Sequence, residues 1–306
     1  MGVNSQSPVL LPIRGNMMNH TGDSNELKQV RLIAIDMDGT LLLSDHYTVP
    51  EQNIKAIRAA HAAGITVCIS TGRMLEDASD FIHRLGLPCM IIAANGARIS
   101  DRPLPEGKII YRRNFADGDA LAAVDLLLPF GMMINGFEDG YVNTVLDETE
   151  KEYHLVYRDL IGVRHGEAVL REAAGRSMMK IFVIDHPAAV SGNTDRIQAA
   201  RRAIRHAMPH LEVVSSSGNN LEIMPGGVGK GDALAFLTAR LGLDRSQVMA
   251  IGDAENDLSM LRYAGHSVAM GNAVPAVSLA CRHQTASNDD CGVAFIINRV
   301  LESLNL

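Results

Sequence analysis

The amino-acid sequence predicts an α/β fold, a Rossmann-like doubly wound parallel sheet into which an α+β domain is inserted. Short apolar runs alternate with amphipathic helical stretches near both ends of the chain, the pattern of a parallel sheet covered by helices. Gly64, Gly86, Gly242 and Gly265 lie where these helices would end. Between about residues 111 and 222 the alternation is lost, and it then resumes, so this segment is predicted to be an insertion.

The predicted core strands are apolar runs at residues 32–35, 66–69, 89–93, 247–251 and 267–270. Helices are predicted between them at residues 51–63, 75–85, 231–241 and 257–264. The polar, Asn- and Ser-rich start of the chain favours a loosely ordered extension at residues 1–30. Residues 31–110 and 223–306 then form the core, and residues 111–222 form an inserted cap.

The predicted cap has a different order of secondary-structure elements from the core. Hairpin-like strands are expected at residues 132–136, 140–144, 178–184 and 213–217. Helical stretches at residues 117–128, 147–157 and 193–208 interleave with them. This mixture is typical of a separate α+β domain.

Composition excludes several classes of protein. The net charge of −7 provides no basic field for nucleic acid or for anionic lipid, and no apolar stretch reaches the ~18 to 20 residues of a spanning helix. Aromatic residues make up 4% of the chain and Trp is absent, which argues against stacking platforms for bases. The cysteines lack a CxxC pair, and Cys68 and Cys89 fall in apolar runs. We expect free thiols and a cytoplasmic protein.

Two carboxylates follow the first predicted strand. Asp36 and Asp38 are separated by one residue, so in an extended segment their side chains point the same way. Two like charges this close need a cation or a shared proton. A bare pair of this kind is more often an acidic turn, but a strand followed by Asp-Met-Asp-Gly-Thr is far more specific.

Other strand ends also bear polar residues. Thr71 and Gly72 follow the second strand at a helix start, where hydroxyl and amide donors can meet a phosphate, although a simple helix cap explains them equally well. Asp253 and Asp257 follow a later strand, with a helix cap as the alternative. Lys230 stands among glycines, but the spacing required of an NTPase phosphate loop is missing.

Together, these strand-end residues resemble the four motifs of the haloacid dehalogenase-like superfamily in order and in residue type: Asp36-Met-Asp38-Gly-Thr40, Thr71, Lys230, and Gly252-Asp253-Ala-Glu-Asn256-Asp257. Further strings are similar to its Cof-type branch with a C2B cap, which includes bacterial sugar phosphatases: Ser70-Thr-Gly-Arg73, Ala94-Asn-Gly-Ala97, Leu221-Glu-Ile, Gly229-Lys-Gly231 and Val268-Ala-Met-Gly271. The resemblance spans about residues 30–301, weakly in the cap. It implies an Mg²⁺-dependent phosphatase of small phosphorylated metabolites, with sugar phosphates as the expected substrates.

The resemblance also implies roles for individual residues. Asp36 would be the nucleophile that forms an aspartyl-phosphate, and Asp38 the general acid and base. The Mg²⁺ ligands would be the carboxylates of Asp36 and Asp253 and the backbone carbonyl of Asp38. The expected phosphate contacts are Thr71, Lys230, the main chain of Met37 and Gly72, and the side chain of Asn256. Asp257 would orient Lys230 or a metal-bound water.

Some alternatives stay open at this point. A phosphomutase would use the same aspartates, and a phospho-accepting module would need only the first of them. Candidate cap contacts to the leaving group are Asn135, Glu138, His154 and Glu222. The pattern does not decide the oligomeric state.

Overall fold

The structure is a computed structural model that describes residues 26–145 and 162–305. Its strands are β1 Leu32–Ile35, β2 Thr66–Ser70, β3 Met90–Ala93, β4 Arg98–Ser100, β5 Ile109–Arg112, β6 Met133–Glu138, β7 Tyr141–Val145, β8 Gly162–His165, β9 Lys180–Ile184, β10 Glu212–Val214, β11 Asn220–Met224, β12 Val248–Gly252, β13 His266–Ala269 and β14 His283–Gln284. Its α-helices are α1 Glu51–Ala62, α2 Leu75–Arg84, α3 Asp119–Leu127, α4 Glu167–Ala174, α5 His186–Ser191, α6 Asp195–Ala207, α7 Lys230–Arg240, α8 Leu258–Tyr263, α9 Pro275–Ala280 and α10 Gly292–Ser303. Across these described ranges, no helix has the length and apolar character needed to cross a bilayer.

The first sheet is the predicted parallel core. Its strand order is β14-β13-β12-β1-β2-β3-β4-β5. Neighbours from β14 to β3 pair in parallel, and β4 and β5 extend one edge in antiparallel fashion. β1 is aliphatic and buried along its whole length, because a central parallel strand is covered on both faces.

Helices cover both faces of this sheet. Ile33 and Ile35 of β1 pack in one apolar cluster with α1, α2 and α10. Leu32 and Ala34 point to the other face and pack in a second cluster with α7, α8 and α9. The predicted fold class, a doubly wound sheet, is therefore confirmed.

The second sheet forms the cap, in the order β10-β11-β9-β6-β7-β8. Its pairs are antiparallel except for β7 and β8. Helices α3, α4 and α6 bury one face of it. From the other face, Phe137 and Met224 join Met74 and Ala97 of the core in a small apolar cluster. Since Met74 and Ala97 follow β2 and β3, this face of the cap lies over the carboxyl ends of the core strands.

The domain limits differ from the predicted ones by a few residues. The predicted boundaries at 110/111 and 222/223 fall inside β5, which belongs to the first sheet, and β11, which belongs to the second. An antiparallel hairpin such as β4–β5 lacks the strand–helix alternation on which the boundary was based. Leu27 and Val30, assigned to the amino-terminal extension, pack in the core instead. Residues 1–25 and the helix predicted at 147–157 lie outside the described residues.

Candidate active site

Two aspartates lie side by side where adjacent core strands end. Asp36 follows β1 and Asp253 follows β12, and these strands pair in parallel with Ile35 opposite Ile251. The amide of Asp36 donates to the carbonyl of Ile251 at 3.1 Å. Carboxylate oxygens of Asp36, Asp253 and Asp257 all lie within 4.8 Å of one another. The sheet register thus brings together acids that are distant in sequence.

Lys230 supplies a positive charge to this acidic cluster. It is the first residue of α7, is fully buried, and donates hydrogen bonds to Asp36 and, at 2.6 Å, to Asp257 Oδ1. Burial alone would lower the pKa of Lys230, but the two carboxylates hold it above its ordinary value, so the ammonium stays charged. A Cβ at Gly231 would lie 2.5 Å from the carbonyl oxygen of Ser259, so the glycine permits the close approach of α7 to α8.

Asp257 contacts both Lys230 and the backbone around Asp253. One of its carboxylate oxygens accepts from Lys230, and the other accepts from the backbone amides of Asp253 at 2.9 Å and Ala254 at 3.1 Å. It therefore orients Lys230 and at the same time fixes the backbone that bears Asp253.

The turn after Asp38 packs directly against Asp253. The Thr40 hydroxyl donates to Asp253 Oδ1 at 2.8 Å. Gly39 has a φ of +80°, and a Cβ there would lie 2.5 Å from Asp253 Oδ2. Glycine is needed at this position for both its backbone conformation and its lack of a side chain.

The acidic cluster fits a hard divalent cation. Burial and the nearby charge of Asp257 raise the pKa of Asp253 to about 7, and the same causes raise the pKa of Asp36 above its ordinary value. A cation relieves such repulsion, and Mg²⁺ prefers oxygen ligands. Both oxygens of Asp257 accept hydrogen bonds, whereas the bonds described for Asp36 and Asp253 engage only Oδ1 of each, so the carboxylates that would hold the ion are those of Asp36 and Asp253. The carbonyl of Asp38 stays a predicted third ligand.

Arg73 holds the carboxylate of Asp38. The Nε of Arg73 donates to Asp38 Oδ2 at 2.9 Å and its Nη2 donates to Oδ1 at 2.7 Å, a bidentate pair. A further ion pair joins Arg73 to Asp77. The side chain of Asp38 is 41% exposed, in contrast to the buried Asp36. Asp38 is thus oriented by a fixed partner at the side of the site that is open to solvent.

The loop after β2 presents Thr71 and Gly72 at the same edge. Thr71 is buried, its amide donates to the Ile92 carbonyl at 2.8 Å, and its Oγ1 accepts from the Arg73 amide at 3.1 Å. Since that oxygen is an acceptor here, its hydroxyl proton can be donated to an oxyanion. The side chain of Met37 packs in the core, which leaves its main chain as the part able to meet a phosphate.

A cavity of about 570 Å³ lies between this edge and the cap sheet. From the predicted set, its lining includes Asp36, Asp38, Gly72, Asp253 and Asn256. The remaining residues of the set are buried beside it: Met37, Thr71, Lys230 and Asp257. The cap contributes Phe137, Lys180, Phe182, Ser216, Ser217, Asn220 and Glu222. The structure therefore brings all the predicted site residues to one edge of the core.

A family model described as haloacid dehalogenase-like hydrolase matches residues 33–297. The chain belongs to this family. The match includes every predicted site residue and the whole described cap, so the family indicated by the four motifs is confirmed, and the protein is an enzyme of the hydrolase class.

Relatives of this hydrolase match both of its domains. It is 32% identical over 290 residues to the 5-amino-6-(5-phospho-D-ribitylamino)uracil phosphatase YwtE of Bacillus subtilis, across 89% of this chain and 98% of that protein. It is 30% identical over 255 residues to the HMP-PP phosphatase of Cronobacter sakazakii, across 83% of this chain and 88% of that protein. The solved structure of a haloacid dehalogenase-like hydrolase from B. subtilis matches with a TM-score of 0.77 and 29% identity, over 88% and 99% of the two chains.

Several residues that the structure places in this site have no role in the sequence prediction. Thr40 and Arg73 stand inside the strings that carry the family resemblance, and their positions beside Asp38 and Thr71 were the available signal. Lys180 begins an apolar strand and is typical of an exposed strand end, yet it is buried in the cavity wall.

The four cap residues predicted as candidate contacts to the leaving group differ in their positions. Glu222 lines the cavity. Asn135 is buried in β6 and is not among the described lining residues. Glu138 accepts from Asn143 at 3.0 Å within the cap, also away from the described lining. His154 lies outside the described residues.

Replacement of Gly39 by Ala is expected to weaken metal binding by this hydrolase. The new Cβ would displace Asp253, which is a predicted ligand, so the Mg²⁺ concentration needed for half-maximal activity should rise about tenfold. A titration of activity with MgCl₂ measures this change. Gly64→Ala is the matched control, because Gly64 has a φ of +81° and nothing within 4 Å of its Cβ position. Equal metal requirements in the two variants would contradict the assignment of Asp253.

Proposed function

We propose that this hydrolase is an Mg²⁺-dependent phosphatase of small phosphorylated metabolites that works through an aspartyl-phosphate on Asp36. One observation carries the proposal. At the inner end of a cavity large enough for a metabolite, the Asp36 carboxylate is held by Lys230, beside Asp253. This combination of a fixed carboxylate, a buried ammonium and a second acid suits attack on a phosphate ester.

In the first step, a carboxylate oxygen of Asp36 attacks phosphorus in line, and the bond from phosphorus to the ester oxygen breaks. The leaving alkoxide takes a proton from Asp38. Lys230 and the Thr71 hydroxyl would stabilise the charge on the phosphoryl oxygens, together with the amide of Gly72 and the side chain of Asn256.

In the second step, water attacks the phosphorus of the aspartyl-phosphate, Asp38 accepts its proton, and inorganic phosphate leaves with Asp36 restored. The contact with Arg73 orients Asp38 at the cavity, and in this mechanism the ion pair has to open when Asp38 carries the proton for the leaving group. When bound, Mg²⁺ supplies charge neutralisation between the carboxylates and the phosphate oxygens.

The substrate class is proposed from the cavity and from the relatives. Sugar phosphates are the class implied by the Cof-type strings, and the named relatives act on a phosphorylated ribityl compound and on HMP-PP. A volume of about 570 Å³ has room for compounds of this size. We place the enzyme in the cytoplasm, and the free thiols of Cys68 and Cys89, whose pKa values are raised by burial, agree with a reducing compartment.

Release of inorganic phosphate is the test. The protein should liberate phosphate from at least one member of a panel of sugar phosphates, polyol phosphates and phosphorylated pyrimidines when Mg²⁺ is present, and should stop when the metal is chelated. Formation of an isomeric phosphate without release would identify a phosphomutase instead. A stable phosphoprotein that does not turn over would identify a phospho-accepting module.

A further inference from the structure

A strained turn follows β3 and touches several loops of the site. Its residues Ala94, Asn95 and Gly96 all have positive φ, at 47°, 51° and 107°. The Asn95 amide donates to the Thr71 carbonyl at 3.0 Å. A Cβ at Gly96 would lie 2.4 Å from the carbonyl oxygen of Gly229, next to Lys230. For Ala94 this backbone region is sparsely populated, and such a residue persists only where its surroundings hold it; residues of this kind cluster at functional sites.

The side chain of Asn95 connects the core to the cap. It is 1% exposed, and its Nδ2 donates to Glu222 Oε2 of the cap strand β11 at 2.8 Å. Its Oδ1 accepts from Nδ2 of Asn256 at 3.4 Å. The amide group is therefore in contact with a predicted phosphate ligand on one side and with a cap carboxylate on the other.

The cap contributes a buried ion pair to the same place. Lys180 of β9 pairs with Glu222, and both side chains are at most 5% exposed. The Lys180 ammonium also donates to the Gly72 carbonyl at 2.7 Å. Burial would raise the pKa of Glu222, but the charge of Lys180 holds it below its ordinary value, so the carboxylate is ionised. The pair lies entirely within the cap, yet its additional bonds end on Gly72 and Asn95 of the core.

We propose that Asn95 and the Lys180–Glu222 pair form a positioning network that holds the phosphate-binding loops in place when the cap lies over the site. The proposal rests on the proposed phosphatase function. The network bonds to Thr71, Gly72 and Asn256, which are the predicted phosphate contacts, so it would act on the group common to all substrates. Its loss should lower kcat for every phosphate ester alike, whatever the leaving group.

An exchange of side chains tests the network. In Asn95→Asp, a carboxylate faces Glu222, and we expect kcat to fall about 10- to 100-fold through displacement of the loops. The double variant Asn95→Asp with Glu222→Gln keeps one carboxylate and one amide. Because Asn95 and Lys180 bond the same oxygen of Glu222, the introduced carboxylate lies beside the Lys180 ammonium and replaces its charged partner, and it still accepts from Asn256. It should recover kcat to within about fivefold of the wild type. Aspartate tolerates the positive φ of this position, so the backbone need not change.

Arg201→Met is the matched control. Arg201 pairs with Glu255 across a different part of the contact between cap and core, so kcat should stay within about twofold. Thermal unfolding of all variants separates loss of fold from loss of position. A folded double variant that does not recover would overturn the proposal, as would a loss confined to some leaving groups, which would make Asn95 a specificity residue.

The affinity for inorganic phosphate, measured by calorimetry, is a second test that needs no turnover. Asn95→Asp should weaken phosphate binding about tenfold, and the double variant with Glu222→Gln should restore it. If the wild type releases phosphate from no ester, the proposed function fails, but the calorimetric comparison still decides the network. Equal affinities in all variants would overturn the network regardless of the activity of the wild type.

Discussion

Replacement of Asp36 by Asn is expected to abolish phosphate release while the fold stays intact. The amide has nearly the same shape and can still accept from Lys230, but it cannot form the acyl-phosphate bond. We expect kcat to fall by at least about 10⁴-fold. Burial and the charge of Asp257 raise the pKa of Asp36. At neutral pH the ionised carboxylate therefore lowers the free energy of unfolding. A neutral side chain removes that cost, and Tm should stay within about 3 °C.

The measurement is single-turnover and steady-state phosphate release, with calorimetric unfolding of the same samples. Asp117→Asn is the matched control, because it makes the same change at an exposed position outside the site. A folded Asp36→Asn variant that keeps a near-normal rate would refute the nucleophile, and the mechanism would need another acceptor for the phosphoryl group.

Replacement of Lys230 by Met is expected to remove activity and also to destabilise the protein. Without the ammonium, the carboxylates of Asp36 and Asp257 lose the partner that compensates their charge while they stay buried. Breaking a buried ion pair from one side costs about 3–5 kcal/mol, so Tm should fall by about 10 °C. The loss of an oxyanion contact should also lower kcat by about 100-fold or more.

A second substitution separates these two effects. Adding Asp257→Asn to Lys230→Met removes one of the uncompensated charges, so Tm should partly recover while kcat stays low. Lys55→Met provides the control, because Lys55 is 73% exposed on α1 and should change Tm by less than about 2 °C. Unchanged stability in Lys230→Met would contradict the charge balance described for the site.

The core and its acidic edge could be predicted because local patterns determine them. Buried parallel strands are continuous apolar runs, and the strand register then places Asp36 beside Asp253 without any further information. The outer part of the core is different. β4 and β5 form a short antiparallel hairpin whose residues do not alternate with a helix, so the boundary with the cap was placed inside β5.

The contacts between cap and core could not be predicted from the sequence for a physical reason. Glu222 is among the predicted cap contacts, but its pairing with Lys180 was not predictable, because most charged residues of short strands are solvated. The burial of both residues results from the way the cap sheet packs over the core, which leaves no periodic signal in the chain. Asn95 was visible in a family string, but its contacts depend on the cap in the same way.

The central pairing of β1 with β12 has a consequence for synthesis on the ribosome. Leu32 pairs with Val248, so more than half of the chain must be translated before the middle of the core sheet can close. Until then one edge of β1 is unpaired, whereas the cap strands are contiguous in the nascent chain and can pair as they emerge. We expect the cap to fold first. The reaction centre can assemble only after β12, which precedes Asp253, has left the exit tunnel.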